Sequence, residues 1–172
     1  MRKTLVVAGL LLLLPCLAAA QDTPKAEVFG GYSYLRANPK GGFIGSNAGG
    51  WDASFNWNWN KWLGYKAEFD GHYCCSGNGE KKHDFLFGPQ FSFRRNKVNY
   101  FAHALVGASH GNAPGFSDTV LAWAGGGGVD IRVNDRFSIR VAQVDYLGTN
   151  YANTWQHHFR YSGGLVIKFG KK

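Results

Sequence analysis

The stretch WDASFNWNWN, residues 51–60, alternates apolar and polar side chains without a break. The odd positions hold three tryptophans, one phenylalanine and one alanine, whereas the even positions hold only aspartate, serine and asparagine. Because successive side chains of a β-strand point to opposite faces, this pattern predicts a strand with one aromatic face and one polar face. The fold then depends on whether the aromatic face packs against a protein core or against lipid.

The same period of two recurs along the chain and predicts eight strands with no helix between them. A loss of phase near Gln143, in the seventh strand, predicts a β-bulge. The glycine run at 125–128 falls inside the sixth strand, so it does not indicate a phosphate-binding loop, which requires a following helix. The predicted strands are residues 26–35, 51–59, 62–73, 83–94, 98–109, 119–133, 137–147 and 155–169.

The connections between these strands alternate in length. Those at 60–61, 95–97 and 134–136 are short and contain the asparagines typical of tight turns. The other four are rich in Gly, Asn, Ser and Pro, and because alternate connections of an up-and-down barrel emerge at the same end, the pattern predicts an all-β, eight-stranded, antiparallel up-and-down β-barrel. The connections expected to be long are residues 36–50, 74–82, 110–118 and 148–154.

Alternation alone leaves two orientations open. A soluble lipocalin-like barrel would place the aromatic face inside, whereas a transmembrane barrel would place it outside. The polar set favours the transmembrane barrel, since it is rich in small residues that suit a narrow lumen and carries charges of both signs that could pair there. The residues predicted to face the lumen are Glu27, Asp52, Asn56, Lys66, Glu68, Asp70, Gln90, His103, Asp130, Arg132, Arg140 and Arg160.

The aromatic residues also favour a membrane-spanning barrel. They gather towards the two ends of the predicted strands, with aliphatic residues and glycine between them, as the two membrane interfaces select. The residues predicted to form these two belts are Tyr34, Trp51, Trp57, Trp59, Trp62, Tyr73, Phe93, Tyr100, Phe137 and Trp155.

The N-terminal segment has the pattern of a secretory signal peptide. A basic start precedes an apolar run over residues 5–14, and the small residues 18–20 offer a cleavage site. The apolar run is too short to span a bilayer as a helix. We therefore expect residues 1–20 to be removed on export and residues 21–172 to form the barrel domain.

With these features, the chain resembles the small bacterial outer-membrane barrels of the OmpA-like, OmpX-like and opacity-protein group. The resemblance covers residues 25–169 and is most specific in the last strand, although three residues follow its final aromatic. It implies a location in the bacterial outer membrane, contact with its lipid, and recognition of the last strand by the barrel-assembly machinery. The residues at the family's terminal spacing are Ser162, Gly164, Ile167 and Phe169.

Groups suited to chemistry occur near the long connections but form no motif. Five of the six histidines fall there, close to the adjacent cysteines 74–75, yet their spacing matches no ligand pattern, so no metal or cofactor is predicted. His83 and Asp84, with Ser109 or Ser117, could imitate a base, its orienting group and a nucleophile. No nucleophile-elbow motif supports them, so neither an enzyme nor a small-molecule substrate is predicted.

The chain is basic, with a formal net charge of +8. Its lysines and arginines are spread over turns, lumen and loops rather than along one stripe, which argues against a nucleic-acid partner. Anionic lipid head groups at the rims are the partner that this distribution fits. The residues expected to serve there are Lys81, Lys82, Arg95, Lys97, Lys171 and Lys172.

These features predict an integral outer-membrane barrel with a structural or surface-interaction role, whose lumen is plugged by paired polar side chains. Two alternatives remain open from the sequence. One is a narrow porin for small solutes or ions, and the other is a secreted, soluble, lipocalin-like binding barrel.

Overall fold

The computed structural model describes residues 23–38, 47–74, 81–113, 115–151 and 154–171, so the predicted signal peptide lies outside the described residues. Each strand pairs antiparallel with its neighbours in sequence, and the last pairs with the first, which closes the sheet into an eight-stranded barrel. The strands are β1 (Pro24–Asn38), β2 (Ala48–Asn58), β3 (Leu63–Cys74), β4 (Lys81–Arg95), β5 (Val98–Ala113), β6 (Phe116–Arg132), β7 (Phe137–Tyr151) and β8 (Thr154–Lys171).

The predicted eight strands are confirmed, and so is the transmembrane orientation. On β2, Phe55 is 45% exposed on the outside, whereas its neighbour Asn56 is 4% exposed on the inside. The same distribution runs around the barrel, with large apolar side chains outside and polar side chains buried within. A soluble lipocalin-like barrel needs the opposite arrangement, because its exterior faces water. No helix among the described residues is long and apolar enough to cross a membrane.

The β-bulge lies in β7. Val129 pairs with Ala142 and Asp130 with Arg140, which leaves Val141 as the extra residue. The exposed side chains of Val141 and Ala142 are both directed away from the buried interior, and Arg140 and Gln143 are both buried. The bulge therefore restores the phase that the sequence loses near Gln143.

Two of the expected long connections are short. The β5–β6 ladder continues to the pair Ala113 and Phe116, and the β7–β8 ladder continues to Tyr151 and Thr154. The prediction of long connections at 110–118 and 148–154 is therefore wrong. Most of these residues pair as strand in spite of a turn-like composition. We call the end with these hairpins the loop end.

The opposite end, which we call the turn end, carries the three tight connections, the start of β1 and the end of β8. The Oδ1 atom of Asn60 accepts hydrogen bonds from the amides of Trp62 and Leu63 at 2.9 and 2.7 Å. Asn134 bonds the amides of residues 136 and 137 in the same way, at 2.9 and 2.7 Å. Asn96 adopts a left-handed conformation with φ 53°, which asparagine tolerates.

Glycine allows strands to approach closely at two places. At the closing seam, a Cβ atom on Gly164 would lie 2.4 Å from the carbonyl oxygen of Gly30. In the glycine run of β6, a Cβ atom on Gly126 would lie 2.1 Å from the carboxylate of Asp145. The run therefore makes room inside a curved barrel, as strand-interior glycine does elsewhere.

The orientation of β2 can be tested with matched lysine substitutions. Phe55→Lys should impair folding, since a lysine on the lipid side near mid-membrane costs up to about 2–4 kcal/mol. Asn56→Lys should be better tolerated, because Asn56 lies inside and bonds the carboxylate of Glu27. The folded fraction can be measured by heat-modifiable electrophoretic mobility after refolding into vesicles. Equal tolerance at both positions would contradict the orientation.

Candidate functional site: the charged interior

Arg160 lies at the centre of the barrel interior. Its side chain, on β8, is fully buried and forms ion pairs with carboxylates from two other strands, Glu68 and Asp70 on β3 and Asp145 on β7. Its Nε and Nη2 atoms donate to Asp145 Oδ2 at 3.1 and 2.7 Å. One guanidinium thus links opposite sides of the barrel wall, and its fork of donors suits several carboxylates at once.

A second cation extends this network. Lys66 forms an ion pair with Glu68 and donates to Gln143 Oε1 at 3.3 Å. The amide nitrogen of Gln143 donates in turn to Glu68 at 3.0 Å and to Asp145 at 2.7 Å. His103 Nε2 lies 2.8 Å from Asp145 Oδ1. The charges are therefore paired through contacts between strands far apart in sequence, as buried charge requires.

Arg140 occupies the interior next to the bulge. Its Nε atom donates to Asp130 Oδ1 at 2.8 Å, and its Nη1 atom donates to Gln143 Oε1 at 2.7 Å. The guanidinium carbon lies 4.2 Å from the ring centre of Phe29 and 4.3 Å from that of Phe101. Two aromatic rings thus lie against the cation, which is a favourable buried environment for arginine.

The turn end has its own ion pair. Arg94 Nη2 lies 3.3 Å from Glu27 Oε1, and the same guanidinium donates to Asn58 Oδ1 at 3.2 Å and to the carbonyl oxygen of Lys61 at 2.8 Å. Arg132, predicted to face the lumen, is half-buried at the end of β6. The remaining predicted lumen residues are buried in the interior.

The interior also contains an apolar cluster that the sequence did not predict. The only signal for it was a set of apolar residues, such as Leu35 and Leu105, that fell in the polar phase of their strands. They are buried inside the barrel and pack together rather than facing lipid. The cluster consists of Leu35, Ala48, Leu86, Leu105, Ala122, Ala124 and Leu147.

Several charged or titratable residues of the interior were also missed. Lys82, expected at a rim, is instead buried, with its Nζ atom 3.1 Å from Asp84 Oδ2. His72, one of the five histidines near the long connections, has its ring fully enclosed in the interior, and Asp145 is a further buried carboxylate that the sequence did not single out. The sequence does contain a signal for these three residues, because each alternates with outward-facing neighbours and so lies in the inward phase of its strand.

His83 and Asp84, which could imitate a base and its orienting group, do not come together. Asp84 is fully buried in the interior, whereas the preceding His83 is directed to the opposite face of β4. A different arrangement forms inside: Ser33 Oγ lies 3.0 Å from His72 Nε2, and His72 Nδ1 lies 3.0 Å from Asp70 Oδ1. Ser33 is fully buried, so no substrate carbonyl can approach its hydroxyl as nucleophilic catalysis requires.

The predicted belt aromatics lie on the outside of the barrel. Trp59, in the turn after β2, is 78% exposed, and Trp51 is half-buried with its Nε1 atom 3.3 Å from the hydroxyl of Tyr73. At the closing seam, Ser162 faces inward and donates to Ser33 at 3.1 Å, whereas Phe169 is exposed outside near the turn end. The side chains of the adjacent cysteines 74–75 and of Lys171 and Lys172 lie outside the described part of the chain.

Comparison with solved structures identifies the architecture. Neisserial surface protein A superposes with a TM-score of 0.70 at 14% identity, over 87% of this chain and 100% of that one. The attachment invasion locus protein Ail of Yersinia pestis has a TM-score of 0.56 at 18% identity, over 83% and 98% of the two chains. The chain has the fold of the small eight-stranded outer-membrane β-barrels.

One further solved structure shares the fold, whereas two sequence comparisons found no match. Outer membrane protein H of P. aeruginosa also superposes, with a TM-score of 0.56 at 16% identity over 83% of this chain and 99% of that one. No family model matches the sequence, and no curated protein matches it. At such low identity the similarity establishes the shared fold and leaves function to the residues of this chain.

Replacing Arg160 should destabilise the barrel strongly. Arg160→Met leaves three buried carboxylates without their common cation, and breaking a buried ion pair from one side costs about 3–5 kcal/mol. Arg136→Met, in the exposed turn between β6 and β7, is the matched control and should change stability little. Urea unfolding of the refolded proteins in vesicles measures both. Equal stability of the two variants would contradict the central role of Arg160.

Proposed function

We propose that this chain is an integral protein of the bacterial outer membrane, with a structural or surface-interaction role and a lumen closed by its own side chains. The apolar exterior and the shared architecture of the outer-membrane proteins described above support the location. The aromatic residues at the two barrel ends would then mark the two membrane interfaces.

The observation that supports a closed lumen is the central network of ion pairs around Arg160. An eight-stranded barrel has an interior just wide enough for side chains to fill, and here a fully buried guanidinium reaches carboxylates on β3 and β7. A hydrated ion could pass only by breaking these buried pairs. Further towards the turn end, Arg140 between Phe29 and Phe101 forms a second obstruction.

If the lumen is closed, partners can contact the protein only at its two ends and on its outer wall. At the loop end, the β5–β6 ladder extends to Ala113 and Phe116 and the β7–β8 ladder to Tyr151 and Thr154, so these paired strands could present a surface to a partner. At the closing seam, Phe169 on β8 offers an exposed aromatic at the position that the assembly machinery recognises in proteins of this type.

The closed lumen predicts the absence of conductance. The unaltered protein, inserted into planar bilayers, should give no discrete current steps, and Arg160→Ala should produce small steps because it removes the central obstruction. Arg136→Ala in the exposed turn is the matched control and should behave as the unaltered protein does. A stable nanosiemens-scale pore formed by the unaltered protein would overturn the closed lumen and favour the narrow porin.

The proposed location predicts how the protein fractionates. Expressed from its full sequence in a Gram-negative host, it should sediment with outer membranes and be released only by detergent, because its exterior is apolar. Its mass should correspond to residues 21–172 if the signal peptide is cleaved as expected. Recovery in the soluble fraction without detergent would contradict membrane integration.

A further inference from the structure

Three aspartates lie side by side inside the barrel. In the sheet register, Asp52 on β2 is directly opposite Asp70 on β3, and Asp70 is directly opposite Asp84 on β4. All three are buried in the interior, Asp52 with only 1% of its surface exposed. Like charges directly opposite one another on neighbouring strands destabilise a sheet, so the row requires a positive partner.

The described interior does not supply enough cations at this level. Lys82 pairs with Asp84, and Arg160 pairs with Asp70 while also binding Glu68 and Asp145. With His72, His103 and His158 neutral, the central layer has five carboxylates and three cationic side chains, an excess of two negative charges. The residues counted are Asp52, Glu68, Asp70, Asp84, Asp145, Lys66, Lys82 and Arg160.

The excess negative charge lies in the row formed by Asp52, Asp70 and Asp84. Among the described residues, both carboxylate oxygens of Asp52 lack a hydrogen-bond partner, although they are fully buried. Among the same residues, Asp70 Oδ1 has only His72 Nδ1 beside it, at 3.0 Å, whereas Arg160 binds the other oxygen of that carboxylate. Buried carboxylates in this condition are normally protonated or coordinate a metal ion.

The row has the donors of a metal site. One ligand atom each from Asp70, His72 and Asp84 lies within 4.8 Å of the others. His72 Nε2 lies 3.0 Å from Ser33 Oγ, which leaves Nδ1 directed at Asp70. Ser33 Oγ in turn accepts a hydrogen bond from Ser162. A metal-binding histidine typically donates its second ring N–H to an oxygen in this way, which fixes the ring and its tautomer.

We propose that Asp70, His72 and Asp84 bind one divalent transition-metal ion, of which Zn²⁺ is the type best matched by carboxylate oxygen and imidazole nitrogen. The two charges of the ion would cancel the excess of the central layer. Asp52, beside Asp70 in the row, is placed to serve as a further ligand. The ion would bind Asp84 through Oδ1, which has no hydrogen bond among the described residues, while Lys82 stays in the layer beside Oδ2.

A second group of donors, Glu68, His103 and Asp145, has similar spacing but is already neutralised. Arg160 and Lys66 form ion pairs with its carboxylates, and the amide of Gln143 donates to both of them. A cation there would have to displace two basic side chains. The row on β2, β3 and β4 is therefore the preferred site.

Zinc content of the refolded protein tests this proposal. The barrel is refolded with zinc chloride, because the ion must enter before the interior closes, and unbound metal is removed by gel filtration with a weak chelator. Elemental analysis of the folded fraction should find about one zinc ion per chain. Asp84→Asn should abolish retention, Ser33→Ala should weaken binding about 10–100-fold, and Lys82→Met should strengthen it because a competing cation is removed.

Matched controls separate the interior from the surface. His110→Gln removes a half-buried histidine at the loop end, and a variant with serine at both 74 and 75 removes the adjacent thiols; both should retain zinc fully. Zinc should also raise the unfolding midpoint of the unaltered protein and leave that of Asp84→Asn unchanged, a comparison made only on protein with folded electrophoretic mobility. Absence of retained zinc in the folded unaltered protein, or its loss in either control, would overturn the proposal.

Discussion

Closure of the sheet is the constraint on which the rest of this structure depends. Within lipid, every backbone N–H and C=O group needs a partner from the protein, and only a sheet without edges satisfies this requirement with strands. The pairing of β8 with β1 removes the last edge, and glycines at this seam let the two backbones approach. Once eight strands close, the width of the interior is set and side chains must fill it.

Two kinds of side chain, polar and apolar, therefore fill the interior. Polar and charged residues occupy it because the outside faces lipid, but each buried charge then needs partners from other strands. Leucines and alanines fill a further part of the space without any such requirement. Buried ion pairs contribute less to stability than their number suggests, because their desolvation offsets most of the attraction. Their more direct effect is to hold distant strands in one register, as Arg160 does between β3, β7 and β8.

The charge balance differs along the barrel. Near the turn end, Arg94 and Arg140 match Glu27 and Asp130 one to one, and the aromatic rings around Arg140 add to the pairing. In the central layer the carboxylates outnumber the cations, and the excess lies in the aspartate row of β2, β3 and β4. A barrel that only needed to be closed could have used neutral side chains there, so the row is the part of the interior that closure alone does not explain.

The sequence by itself determined the eight strands, the division of each into an apolar and a polar face, and the bulge in β7, because the period of two is a local property of the backbone. Only the tertiary structure decided which inward residues meet. The three carboxylates around Arg160 come from two strands, and the aspartate row depends on the register between three strands. Alternation fixes the face of each residue but not the register across a long connection, such as the one between β3 and β4 that precedes the pairing of Asp70 with Asp84. The same reason explains why Leu35 and Leu105 looked like exceptions in the sequence, since their packing partners lie on other strands.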